Sequence, residues 1–157
     1  MAEVQLHGMT DEEYVAFERE TIASYAALSV ESGKWAEELA LGLAEAEHAK
    51  LLPDGPATPG HHLYTARDGN LVVGVLWIAE RTDSSGRSAY VYDIRVKEPL
   101  RGKGYGEALM RAVEDKAHAL CVEFVQLHVH GTNTVARSLY GKLGYDETSV
   151  VMTKRLS

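Results

Sequence analysis

A chain of 157 residues fits one domain with room for a substantial core, and its longest apolar run, residues 71–79, is too short to cross a membrane and is interrupted by Gly74. The formal net charge of −7 argues against nucleic acid as a partner, because a phosphate backbone calls for a basic surface. The start, Met1-Ala2-Glu3-Val4-Gln5, lacks the basic-then-apolar pattern of a secretory leader, and Cys121 is the single cysteine; together these make the cytoplasm the expected location and leave no intrachain disulfide.

In chain order, residues 4–7 suit a short first strand. Thr10 and Glu13 have capping-box spacing ahead of a helix carrying Tyr14, Phe17, Ile22, Tyr25 and Leu28, which Gly33 stops. A second helix is expected over residues 34–51, with Trp35, Leu39, Leu43 and Ala46 as its inward stripe. Residues 53–60, rich in proline and glycine, form a loop. The period then changes to that of strands. Residues 62–67 and 71–79 read as a hairpin joined at Asp68-Gly69-Asn70, residues 81–88 as a polar loop, and residues 89–96 as a third strand. A helix over residues 105–120, a strand over 124–129, a helix over 134–143 and a last strand over 149–154 complete the chain. Cys121, beside Val122, reads as a buried, inert thiol.

Charge is distributed unevenly. Residues 1–60 hold twelve acids against three bases, whereas residues 95–111 hold five bases (Arg95, Lys97, Arg101, Lys103, Arg111) against two acids. A basic island in an acidic chain suggests a local anionic ligand. Within the island, Arg101-Gly102-Lys103-Gly104-Tyr105-Gly106 joins a strand to a helix through alternating glycines. Glycine allows close backbone approach, and the amides at a helix start converge on one small volume at the positive end of the dipole. A diphosphate fits such a cradle; a plain glycine-rich connection with solvated bases is the other reading. The loop has no Gly-Lys-Ser/Thr and no G-x-G-x-x-G, so neither a Walker A nor a Rossmann motif is present.

The pattern Arg-x-x-Gly-x-Gly, at residues 101–106 and preceded by Val96, resembles the acetyl-CoA motif of the GNAT superfamily of N-acetyltransferases. Asn133-Thr134-Val135-Ala136-Arg137-Ser138-Leu139-Tyr140-Gly141-Lys142-Leu143-Gly144-Tyr145 matches that family's Asn-x-x-Ala-x-x-Leu-Tyr-x-x-x-Gly-Phe/Tyr signature at each fixed position. One departure is Glu98 where many members have proline, with Pro99 next. Residues 52–61 resemble the Leu-Pro-x-Gly-x-x-Thr-Pro-x-His segment of bacterial members with two long amino-terminal helices. The resemblance implies an α/β fold with a mixed, mostly antiparallel sheet and helices on both faces, in a single domain over residues 1–157 with its acetyl-CoA core at about 89–145. It further implies acetyl-CoA as cosubstrate. Its pyrophosphate would rest on the amides of Gly102, Lys103, Gly104, Tyr105, Gly106 and Glu107, with Arg101 adding charge. Its pantetheine arm would pair with Ile94, Arg95 and Val96 and meet Asn133.

Aminolysis of a thioester needs a neutral amine and a proton for the departing thiolate. By the family pattern Tyr140 is the acid; packing beside Leu139 and Leu143 is its other reading, and for Asn133 it is an ordinary helix cap. Glu80, Asp93 and His128 are candidate bases, Glu80 alternatively pairing with Arg81 or Arg87 and His128 alternatively lining the acceptor pocket. His128 and His130 share a strand face, but His61 and His62 could complete a site with them only through folding and no cysteine or carboxylate sits at supporting spacing, so no metal is expected. The expected acceptor is a small cationic amine or a peptide or protein amine, attacked directly in a ternary complex, with neither nucleic acid nor membrane involved and a homodimer left open. An acyl-CoA-binding sensor without turnover and a small nucleotide-binding regulatory domain are the rival classes.

Overall fold

The computed structural model describes residues 2–157, in two compact units: one runs to Leu127, the other from His128 to Ser157. The first unit comprises β1 (Gln5–Gly8), α1 (Asp11–Glu31), α2 (Glu37–Leu51), β2 (His61–Asp68), β3 (Leu71–Asp83), β4 (Gly86–Val96), α3 (Tyr105–Ala119) and β5 (Phe124–Leu127). Its sheet has the order β1-β2-β3-β4-β5, antiparallel except for the parallel pair β4–β5.

The capping box forms, with Glu13 N donating to Thr10 Oγ1 at 3.1 Å and Thr10 N to Glu13 Oε1 at 2.9 Å. Leu63 and Trp77 face each other across β2 and β3 and pack with Tyr14 and Phe17 of α1 and with Leu52. On the opposite face Ala66 and Val73 pack against Leu109 of α3. A register shift at Ala66/Arg67 inserts Val73 as an extra residue in β3 and so turns it toward α3. Helices therefore cover both faces of the sheet.

Four expectations are corrected. The inward stripe of α2 is Ala40, Ala44 and His48, while Leu39 and Leu43 are exposed. Alanines four apart let α2 lie close against Ala26 of α1, and a leucine stripe would hold the helices apart. Residues 81–88 are not a loop: Arg81 pairs with Ser88, Thr82 with Arg87 and Asp83 with Gly86, so both strands extend to a tight turn. Cys121 is exposed, with φ of +56°, just past the end of α3. Residues 149–154 form no strand, because among the described residues they have no ladder partner, and Val151 and Met152 are each 90% exposed.

In the second unit α4 (Thr134–Lys142) is closed at both ends by its own chain. Asn133 Oδ1 accepts from Ala136 N at 3.2 Å. At the other end Tyr145 N donates to Tyr140 O at 2.9 Å and Gly144 N to Gly141 O at 3.1 Å, a Schellman motif in which Gly144 takes φ of +92°. Arg137 ties the flanks together through Glu147 and the carbonyl of Gly131.

Candidate active site

β4 leads into α3 through a 3₁₀ turn (Glu98–Leu100) and residues 101–104. Gly102 and Gly104 have φ of +77° and +88°, a region costly to residues with a Cβ. Gly104 is the N-cap of α3 and supplies no side-chain cap. The backbone ladder begins with Ala108 N donating to Gly104 O, so the amides of Tyr105 and Gly106 have no acceptor within the helix. A Cβ on Gly102 would meet nothing within 4 Å, and one on Gly104 only Ala2 Cβ at 3.6 Å. Donor groups, the positive end of the dipole and open space therefore coincide, and Arg101 and Lys103 stand exposed beside them. Tyr105 pins the helix start to the β2–β3 turn, its hydroxyl donating to Asp68 Oδ2 at 2.6 Å. These residues suit a diphosphate.

The strand before the loop is only half paired. β4 and β5 pair from Ser88↔Phe124 to Val91↔Leu127 and no further. At the same place the β3–β4 register shifts between Trp77 and Ile78, leaving Tyr92 as an extra residue in β4. Beyond it Asp93, Ile94, Arg95 and Val96 pair with β3 alone, exposing a strand edge where an extended amide-bearing chain can add. The fit against β3 is close: a Cβ on Gly74 would sit 2.1 Å from Arg95 O, so only glycine is accommodated there. Val96 O accepts from Arg101 Nε at 3.1 Å. A cleft of about 440 Å³ flanks this end of β4, lined by Glu20, Gly74, Arg95, Val96, Pro99 and Arg101 among others.

The bulge sets two consecutive side chains, Tyr92 and Asp93, on the α1 face. Tyr92 stacks on Trp77 with ring centroids 4.6 Å apart and on His61 at 5.8 Å, and Trp77 Nε1 donates to His61 Nδ1 at 3.0 Å. Burial is the main force holding His61 below its ordinary pKa, with His62 and Arg81 adding to it. Asp93 Oδ2 accepts from Arg95 Nε at 2.9 Å and Thr21 Oγ1 at 3.3 Å, while Oδ1 takes part in neither bond. Burial raises the Asp93 pKa against the opposing pull of Arg95 and Thr21.

Glu80 lies on the other face of the same strands. One of its oxygens contacts His62 Nε2 at 3.0 Å and the other accepts from Arg87 at 3.2 Å. His61 and His62 thus point to opposite faces, and among the described residues no three His, Cys, Asp or Glu side chains gather as a metal would need. β5 ends at Leu127, so His128 and His130 lie outside the strand, in the second unit, with their rings 5.2 Å apart. In that unit Tyr140 is half-buried, its ring 5.9 Å from that of Tyr145, and burial raises its pKa. Its hydroxyl therefore stays protonated through neutral pH.

Comparison with known proteins identifies the family. Residues 36–145 match the model of the acetyltransferase (GNAT) family. The chain is 36% identical over 154 residues to the uncharacterized N-acetyltransferase YycN of Bacillus subtilis (strain 168), covering 98% of this chain and 99% of that one. It is 30% identical to YdgE of the same organism, covering 96% and 97%. The crystal structure of YycN superposes with a TM-score of 0.90 over 98% of this chain and 99% of the other. The chain belongs to the GNAT acetyltransferase family. It is an acyltransferase enzyme.

Two features of this GNAT acetyltransferase escape sequence reasoning. One is the bulge at Tyr92, because an inserted residue leaves no mark in a strand rich in Tyr and Val. The other is the setting of Arg81, whose guanidinium carbon lies 3.7 Å from the Tyr90 ring centroid and whose NH2 donates to the Tyr92 hydroxyl at 2.6 Å. The alternation of Tyr90 and Tyr92 was the one available signal. Several acids of the first two helices have local employment. Glu13 serves the capping box and Arg67, Glu18 accepts from Tyr14, and Glu37 and Glu38 occupy the first turn of α2, where the dipole favours them.

Proposed function

We propose that residues 1–157 act as one domain that transfers the acetyl group of acetyl-CoA directly to an amine, either a small cationic amine or a peptide or protein amine. The observation that carries this reading is the open start of α3, where positive-φ glycines and uncapped amides face unfilled space. Bound acetyl-CoA supplies an activated thioester, in which the C–N bond to the amine forms as the C–S bond breaks and thiolate departs. The loop amides from Gly102 through Glu107, with Arg101, hold the diphosphate. The free edge of β4 at Ile94, Arg95 and Val96 orients the pantetheine arm, a role in which the family signature also includes Asn133.

Tyr140 gives its hydroxyl proton to the departing sulfur and regains one from solvent. Asp93, directly or through water, takes the proton that the amine releases and returns it to solvent. Asp93 is preferred over Glu80 because both Glu80 oxygens are engaged on the α3 face. With its pKa raised, Asp93 takes up its proton above the ordinary carboxylate range, so kcat/KM falls as pH drops through that value. Asp93→Asn removes this limb and leaves only that of the acceptor amine. The test of the whole reading is CoA release from acetyl-CoA across an amine panel, with the acetylated product identified by mass. Release at the same rate with and without amine indicates a hydrolase. Tight binding of acetyl-CoA with no turnover on any amine indicates a sensor.

A further inference from the structure

We propose that Arg81 is an anion receptor in the acceptor site, so that the preferred amine substrate also carries a carboxylate, as an amino acid or a peptide does. The inference rests on the acetyl-transfer reading above and narrows its acceptor. Arg81 pairs with Ser88 in the β3–β4 register, two residues along from Ala79, which pairs with Tyr90. Strand alternation therefore sets Arg81, Tyr90 and Trp77 on the same face, where the bulge adds Tyr92. Tyr92 stands where the β4–β5 pairing stops and the thioester would lie.

The exposed guanidinium is oriented by its neighbours. It lies over the Tyr90 ring and donates to the Tyr92 hydroxyl, and the two rings meet at 66° with centroids 4.9 Å apart. Tyr92 in turn stacks on buried Trp77, so the arginine is anchored through two aromatic contacts to the core. What distinguishes Arg81 among the arginines of the strands is its charge balance. Arg67 pairs with Glu13, Arg87 with Glu80, and Arg95 with both Asp93 and Glu20. Arg81 has no carboxylate within 4.0 Å among the described residues. Glu80, its chain neighbour, points to the other face, and Asp83 Oδ1 accepts from Ser85 N. An oriented guanidinium with donors left over, beside the splitting strands, matches the planar fork of a carboxylate.

Matched acceptors test this: lysine against lysinamide, and glycylglycine and a short peptide against their carboxamides, each assayed with wild type, Arg81→Gln and Arg81→Lys. Wild type should favour the carboxylate member by about tenfold to a hundredfold in kcat/KM, the range of a hydrogen bond between charged groups. Arg81→Gln should erase that preference through KM while leaving kcat for the carboxamides and acetyl-CoA affinity unchanged. Arg81→Lys should keep part of it. A merely structural arginine would lower the melting temperature and leave the preference intact, which overturns the inference. So does a wild type that binds acetyl-CoA but acetylates carboxylate and carboxamide alike, or acetylates no carboxylate member. Failure to bind acetyl-CoA at all would instead bring down the parent reading.

Discussion

The helices α3 and α4 spend their end groups in opposite ways. α3 begins at a glycine with no side chain to cap it, and its first amides face open space. α4 begins under the Asn133 carboxamide and ends in a Schellman motif, so most of its terminal backbone groups are taken by its own chain. A helix of the first kind can bind an anion with its backbone. One of the second kind can contribute to chemistry only through side chains, and Tyr140, whose hydroxyl burial makes still harder to ionise, is the one proposed for it. The glycines differ accordingly: Gly104 leaves room for a ligand, while Gly144 supplies the left-handed turn that closes the motif.

The largest effect should come from the α4 side chain. Tyr140→Phe should lower turnover by roughly 10²–10⁴-fold, with acetyl-CoA affinity by calorimetry nearly unchanged, because the proton is needed only as the C–S bond breaks. Full turnover where chemistry limits the rate would remove Tyr140 from the mechanism. Gly104→Asn comes next. Asparagine tolerates positive φ better than other residues with a Cβ, so the fold should survive while the side chain enters the ligand space, weakening acetyl-CoA by about tenfold or more. Valine at that position would strain the backbone and confuse the two effects. Asn133→Ala should cost about 1 kcal/mol of stability in thermal unfolding, as the loss of a cap does. A larger loss of acetyl-CoA affinity than of stability would show that the carboxamide also serves the ligand. The smallest effect belongs to Arg101→Ala, a few-fold loss of affinity that shrinks further as salt rises, because the charge only supplements the amides.

Local chemistry was legible in the sequence where one residue type decides the outcome. Thr10 and Glu13 form the capping box, Gly69 turns the hairpin, Gly104 opens α3, and Asn133 and Gly144 bracket α4. Choices made by packing were not legible. Leu39 and Leu43 of α2 face outward because alanines allow the closer helix contact, and residues 149–154 look like a strand but have no partner strand among the described residues. The face of the proposed site was hidden for a related reason. Glu80 and Asp93 are both carboxylates on adjacent strands, and only the register with its bulge at Tyr92 sends them to opposite faces.

Calorimetry of acetyl-CoA against acetyl-pantetheine, which lacks the diphosphate, tests most directly whether the open start of α3 holds the donor. In wild type acetyl-CoA should bind far more tightly than acetyl-pantetheine. In a folded Gly104→Asn variant that gap should collapse, with acetyl-pantetheine affinity unaltered. An equal gap in the two proteins would contradict the account.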